Sequence, residues 1–264
     1  MEILSSCAVV SVPMDRVADF SIVIPCRNER SRLPATLVSL RNFFDAFSLV
    51  GEAIVVVEKG DDGTEVLAAE AAEADPRIRV VANPVARGKG YAVKTGMQAA
   101  QGGVQFFMDV DLSVPLDFVP RFLAETSRGA EVVIGSRRHP QSVIVRSQPL
   151  RRVLAGRAFN WCLRLCRATP FKDTQCGFKA FTQTAAQAVF SHLSVDGFGF
   201  DVEALALAGR YGFRIVELPV EWADGAGSKV QPLSDGLRAF FDATRAARRI
   251  RRLPARDFQL SNPS

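Results

Sequence analysis

Apolar runs of strand length recur along the chain with helix-length segments between them: FSIVIP at 20–25, AIVVVE at 53–58, IRVVA at 78–82, VQFFMD at 104–109 and AEVVIG at 130–135. Short runs without polar alternation mark strands buried on both faces, and helix-length spacers suit the crossovers of a parallel sheet. Between the first two runs, Leu33, Leu37, Leu40, Phe44 and Phe47 recur at intervals of three and four, which predicts an amphipathic helix over 32–47. Thr64–Ala74 and Tyr91–Ala100 predict the next two helices, and another is expected over 116–127. From Pro140 the pattern changes to a basic helix over about 151–166, a loop ATPFKDTQCGFKAF, helices near 182–192 and 201–211, a strand RIVELPV and a last helix from Ser234. No repeat or low-complexity linker divides the chain. The expectation is one α/β domain over 20–233, with a mostly parallel, Rossmann-like mixed sheet flanked by helices. An N-terminal extension (1–19), a basic amphipathic helix (234–256) and a disordered tail (257–264) complete the predicted organisation.

Composition narrows the classes open to it. Of 264 residues, 48% are hydrophobic and 23% charged, and none of the apolar stretches approaches the roughly 18 to 20 residues of a membrane-spanning helix. The opening MEILSSCAVVSVPMD lacks a basic n-region, unlike a signal peptide. Cys7, Cys26, Cys162, Cys166 and Cys176 are odd in number, and the four-residue spacing of Cys162 and Cys166 fits a helix face better than a metal site. A soluble protein in a reducing, cytoplasmic setting is expected.

The net charge of +5 is unevenly spread. Between Leu237 and Arg256 stand seven arginines, at 238, 245, 248, 249, 251, 252 and 256, and one acid, Asp242. The helix there sets Leu237, Phe240, Phe241 and Thr244 on one side before turning Arg-rich, a pattern that suits an anionic membrane surface; a solvated packing helix is the plainer alternative. Trp161, Cys162 and Leu165 of the earlier basic helix are expected in the core.

In an open parallel sheet, ligands bind beyond the carboxyl ends of the strands. The polar residues of this sequence gather there: Pro25 to Glu29 after the first strand, Glu58 to Thr64 after the second, Arg87-Gly88-Lys89-Gly90 after the third, and Asp109-Val110-Asp111 after the fourth. Any one of these loops is ordinary turn chemistry, but four in register point to a nucleotide crevice. Two carboxylates one residue apart, just past a strand, suit a hard divalent cation, Mg²⁺ or Mn²⁺, shared with substrate phosphates; capping of the next helix is the bland alternative. There is no G-x-x-x-x-G-K-[ST] and no G-x-S-x-G, and His139 and His192 are more simply surface residues than catalytic ones.

SIVIPCRNE, VVVEKGDDGT, GKGYAVKTGM, FMDVDLSVP, GSRR, RRVLAGRAFN, KDTQCGFKAF, GFGFDVEAL and GSKV occur in the order seen in inverting family 2 glycosyltransferases with a GT-A fold. More narrowly, the chain resembles the dolichyl- and polyprenyl-phosphate β-hexosyltransferase branch. The resemblance implies that Pro25, Asn28 and Glu29 surround the donor's base and ribose, that Lys89 serves the nucleotide loop, and that Asp109, Asp111 and Ser113 hold the metal and diphosphate. It further implies that Arg137 and Arg152 hold an acceptor phosphate, that Asp173 matches a proposed base, and that Ser228 and Lys229 lie near the diphosphate. One departure is the segment after the second strand, where the family's DDGS is replaced by Glu58-Lys59-Gly60-Asp61. Glu58 can still accept from a base edge, whereas Lys59 reverses a charge.

The implied reaction is metal-dependent transfer of a hexose from a nucleotide sugar, a UDP-sugar before GDP-mannose, to a polyprenyl phosphate, on the cytoplasmic face of a membrane and without nucleic acid. A phosphomonoester is mostly dianionic at neutral pH and needs positioning more than deprotonation. A hydroxyl acceptor would instead need a general base, Asp173 or Asp201, whose plainer roles are a loop cap and a helix N-cap. A nucleotide-binding protein without catalysis is the reading from another class, suggested by the altered EKGDD.

Overall fold

The computed structural model describes residues 9–10, 18–165, 169–225 and 234–252; at 9, 10, 151, 152, 155, 164, 234 and 235 it describes the backbone alone. β1 (Val9–Val10) pairs antiparallel with β4, so part of the expected N-terminal extension borders the sheet. β2 (Phe20–Cys26), α1 (Leu33–Ala46), β3 (Gly51–Glu58), α2 (Thr64–Ala74), β4 (Ile78–Asn83), α3 (Lys89–Ala99) and β5 (Val104–Met108) follow in strict alternation, as the apolar runs predict. After α4 (Val119–Ser127) come β6 (Val132–Ser136), β7 (Val143–Arg146), α5 (Leu150–Leu165), β8 (Phe178–Thr182), α6 (Gln183–His192), α7 (Phe200–Arg210), β9 (Ile215–Pro219), β10 (Glu221–Ala223) and α8 (Ser234–Arg251).

The sheet order is β1-β4-β3-β2-β5-β8-β6-β9, and β7 and β10 form a separate parallel pair. β8 lies within the expected loop ATPFKDTQCGFKAF, yet it is a central strand, antiparallel to both β5 and β6. The sheet is therefore mixed. Its connections reverse between β2 and β5, the place where an α/β sheet opens a crevice at its carboxyl edge.

Apolar side chains cover both faces. Leu33, Leu37, Leu40 and Phe44 of α1, Ala68 of α2 and Phe122 of α4 close one side; Val93 and Met97 of α3, Phe190 of α6 and Leu207 of α7 close the other. α1 thus buries four of the five residues its periodicity marked out, Leu33, Leu37, Leu40 and Phe44.

α8 packs through a stripe of small residues. Ala239, Ala243, Ala246, Ala247 and Ile250 are buried, while Leu237 and Phe241 face outward, 60% and 64% exposed. Small residues let α8 lie close on α7, and Phe240 meets Phe159 of α5 edge to face. The expected core positions on α5 are corrected: Trp161 is 56% exposed and Leu165 63%, because Leu163 and Phe159 point to α8 instead. Cys162 is half-buried, and Cys166 lies outside the described residues. No helix among the described residues is long and apolar enough to cross a membrane. The expected disordered tail, 257–264, also lies outside them.

Candidate active site

The carboxyl ends of β2 to β5 bring the polar loops together. Asp109 follows β5 directly, and its Oδ1 meets Lys89 Nζ at 2.6 Å. Asp111 Oδ1 accepts from Ser113 Oγ at 2.6 Å and Ser113 N at 3.1 Å, and its Oδ2 stands 3.9 Å from Arg32. Two glycines make room for these acids. A Cβ on Gly177 would fall on the Asp109 carboxylate, and one on Gly225 on that of Asp111, so any side chain at either place would displace them. Among the described residues no three His, Cys, Asp or Glu side chains gather to hold a metal alone. A cation at Asp109 and Asp111 would draw its remaining ligands from a bound diphosphate, the habit of Mg²⁺ at phosphate sites.

Lys89 lies at the start of α3, partly buried. Burial works to lower its pKa, but Asp109 and Asp201 outweigh it, so the net shift is upward and the ammonium is held charged. Glu58 Oε1 accepts from Arg87 N at 3.0 Å and Gly88 N at 2.9 Å. That oxygen therefore fixes the loop ahead of Lys89, while Lys59 faces solvent. Asn28, at φ 57, accepts Asp61 N through Oδ1 at 3.0 Å, and Glu29 makes a two-pronged ion pair with Arg32. Pro25 sits within β2 beside Val56 of β3. All of these stand on one edge, so the sequence grouping is real, although Glu58, Asn28 and Glu29 also hold their own loops in place.

Asp173 is sealed from solvent and fully engaged. Its Oδ2 accepts Arg137 Nε at 2.7 Å and Arg137 N at 3.0 Å; its Oδ1 accepts Arg137 Nη2 at 2.7 Å and Gln175 N at 3.2 Å. Burial would raise its pKa, but Arg137 overrides burial and holds it at about 2. Such a carboxylate makes a poor base and a good clamp. From an ordinary 3.8 to about 2, the shift contributes about 2 kcal/mol, present above pH 4 and lost as pH falls toward 2. In denaturant melts Asp173→Asn is therefore expected to be clearly less stable than wild type at pH 6, and the gap to close between pH 4 and 2. A gap independent of pH would show that the ion pair is not its source.

Asp201 is not an N-cap, since Gly199 occupies that place on α7. It is buried and meets Lys179 Nζ at 2.5 Å; Lys179, wholly buried at mid-β8, also donates to Cys176 O at 2.6 Å. Burial pushes the Asp201 carboxyl up, against the pull of Lys179 and Lys89. Lys89, paired with Asp109, also lies within electrostatic reach of Asp201, whose own partner is Lys179. Arg152 stands on α5, but its side chain, like Ser228 and Lys229, lies outside the described residues. His139 Nδ1 accepts Gln141 N in a turn, and His192 ends α6 against Tyr211, so neither joins the site.

Residues 21–190 match the family described as Glycosyl transferase family 2. The chain belongs to that family. It is 32% identical over 233 residues to dolichyl-phosphate beta-glucosyltransferase of Drosophila melanogaster, covering 83% of this chain and 72% of that one. To glycosyltransferase AglD of Haloferax volcanii it is 31% identical over 224 residues, 83% of this chain but 35% of the other. A solved structure of glucosyl-3-phosphoglycerate synthase from Mycobacterium tuberculosis, in complex with Mn²⁺, UDP and glucosyl-3-phosphoglycerate, superposes with a TM-score of 0.66 at 20% identity, over 90% of this chain and 81% of that one. The protein is a glycosyltransferase, and its fold is of the GT-A type.

Several residues of this family 2 glycosyltransferase escaped the sequence reading. Lys179 was hidden inside a supposed loop. Gly177 and Gly225 matter only through what they nearly touch. Asn83, buried at the end of β4 opposite Glu58, leaves both ends of its amide without a partner, and Gln175 Nε2 is likewise unpartnered. The adjacency of Asn83 to the third polar loop was the available signal.

Proposed function

We propose that this glycosyltransferase moves a hexose from a nucleotide sugar, with a UDP-sugar favoured, to a polyprenyl phosphate, with inversion and with Mg²⁺ or Mn²⁺. The observation that carries the reading is the charge layout. Arg137 lies within electrostatic reach of Asp109 and stacks its guanidinium 5.3 Å from the Trp222 ring, whose side chain shares a small cleft with Asp109 and Ser113. One flank thus suits a diphosphate bridged by a cation, and the other a second phosphate. Asp109, Asp111 and Ser113 would hold the cation, which supplies neutralising charge to the departing nucleoside diphosphate. Lys89 stabilises the same developing charge, and Asp173 holds Arg137 flat and preorganised for bidentate contact with the acceptor phosphate. Asn28, Glu29, Glu58 and the unpartnered Asn83 frame the base, with Ser228 and Lys229 assigned to the diphosphate and Arg152 to the acceptor phosphate. A dianionic phosphate attacks without a general base, which agrees with the sealed state of Asp173.

The exposed apolar side chains favour a lipid acceptor over a soluble one. Val143 and Val145 of β7, Leu154 and Trp161 of α5, and Leu237 and Phe241 of α8 are exposed, and we assign these surfaces to an anionic membrane on its cytoplasmic face. Arg248 and Arg252 are exposed and suit its charge, whereas Arg249 is committed to Glu203 at 2.5 Å. The test is transfer from labelled UDP- and GDP-hexoses to a short prenyl phosphate in detergent and to a long one in anionic vesicles. Label is expected in both lipids, from UDP-hexose first. Trp161→Ser and Phe241→Ser are expected to slow the vesicle reaction several-fold and spare the detergent one. Labelling of a soluble hydroxyl compound with no prenyl product would overturn the acceptor.

A further inference from the structure

A separate cavity of about 490 Å³ opens between the loop before α3, the 194–199 loop joining α6 to α7, and α8. That volume is in the range of small-molecule sites. It shares Gly88 and Lys89 with the donor side, but Pro25, Asn28, Glu58 and Asp109 take no part in its lining. Its charged lining is mainly cationic: Arg87, Lys89, Arg238, Arg245 and Arg249 against Asp196 and Asp242. Three of these cations are already matched, Arg87 by Asp196 at 2.7 Å, Lys89 by Asp109 at 2.6 Å and Arg249 by Glu203 at 2.5 Å. Arg238 and Arg245 are exposed and make no ion pair among the described residues. They stand one helical turn either side of Asp242, which offsets one of the two charges.

The walls of the cavity are fixed by the fold. Glu203, buried on α7, accepts Ser194 N at 3.0 Å, Ser194 Oγ at 2.7 Å and Val195 N at 2.7 Å, besides Arg249. From the other side, Gly88 at φ +127 comes so near that a side chain there would put its Cβ 2.7 Å from Asp196 O. A buried carboxylate with four donors pins the loop and α8 together before any ligand arrives. The helix that carries Arg238 and Arg245 is thus held in place, and arginine matches phosphate oxygens in pairs.

We propose that this cavity binds a phosphate-bearing ligand, a diphosphate or a phosphomonoester, through Arg238 and Arg245, apart from the nucleotide-sugar donor. Lys89 lines both places, so such a ligand sits one side chain from Asp109. The inference does not depend on which acceptor the enzyme uses. Calorimetric titration of the full chain with inorganic pyrophosphate, in EDTA and at low salt, keeps cations away from Asp109 and Asp111. Binding is expected in wild type and in Asp109→Asn, and is expected to weaken at least about tenfold in Arg238→Gln/Arg245→Gln. Both arginines are exposed and unpaired, so the double variant is expected to melt with wild type. A parallel arm sediments the same proteins with vesicles carrying phosphatidic acid. A defect of the double variant there, with pyrophosphate silent and with sedimentation unchanged on phosphatidylglycerol vesicles of equal surface charge, assigns the phosphate to a lipid phosphomonoester and supports the site; an equal defect on both kinds of vesicle is plain surface charge and overturns it. Equal behaviour of the double variant and wild type toward both probes overturns it, as does pyrophosphate binding that disappears in Asp109→Asn alone.

Discussion

Asp109→Asn and Asp111→Asn are each expected to lower turnover at least about 100-fold, the scale seen when a preorganised charge-stabilising group is removed. The reason lies in where charge develops. As the sugar leaves, the diphosphate gains negative charge, and a carboxylate pair without its cation would repel that charge. Asn keeps the shape of each side chain, and both acids sit where Gly177 and Gly225 leave space, so the fold is expected to stand. Asp109→Asn also releases Lys89 from its 2.6 Å ion pair, which leaves one positive charge near the diphosphate and makes this variant the milder of the two. Single-turnover transfer at a series of Mg²⁺ and Mn²⁺ concentrations measures the loss. Excess chelator is expected to silence the wild-type enzyme and added metal to restore it; full activity in excess EDTA would overturn the metal assignment.

Lys179→Ala is expected to cost about 3–5 kcal/mol of stability, the range for removing one partner of a buried ion pair. Lys179 is wholly buried on β8 and shares its ammonium between Asp201 and Cys176 O, so its loss strands a carboxylate in the core. Burial already pushes the Asp201 carboxyl up, and without Lys179 it rises further. A group whose folded pKa is raised stabilises the fold below its unfolded pKa and loses that contribution as pH rises. The deficit of Lys179→Ala is therefore expected to be larger at pH 8 than at pH 5. Lys179→Met/Asp201→Asn removes both charges and is expected to lose less than the sum of the single changes. Urea midpoints across pH measure all three, and a deficit that grows toward acid would sink the argument.

The alternating half of the molecule was legible because each apolar run there is both continuous and followed by a helix-length segment. β8 was not, because Lys179 interrupts it and Asp173, Gly177 and Pro170 surround it, the vocabulary of a loop. The carboxylate of Asp201, on another element, supplies the counter-charge that makes that lysine acceptable in a central strand. The site followed the same division. Asp109, Asp111 and Lys89 stand at strand ends that periodicity locates, whereas the bond of Arg137 to Asp173 spans 36 residues and that of Arg249 to Glu203 spans 46. The packing face of α8 was hidden for a different reason. Its large residues marked one side of the helix but not the side that packs: alanines allow the closest approach to α7 and leave Leu237 and Phe241 outside.

The place of β8 also orders events during synthesis. β5 and β6 emerge from the ribosome well before Phe178–Thr182, yet in the finished sheet each leans on β8 and they do not pair with one another. Until that stretch arrives, two apolar strands wait with open hydrogen-bonding edges, the condition that invites association with a neighbouring nascent chain. A chain halted after α5 would hold this vulnerable state indefinitely, so chaperone dependence is expected to peak across the interval between α4 and β8 and to fall once Lys179 has found Asp201.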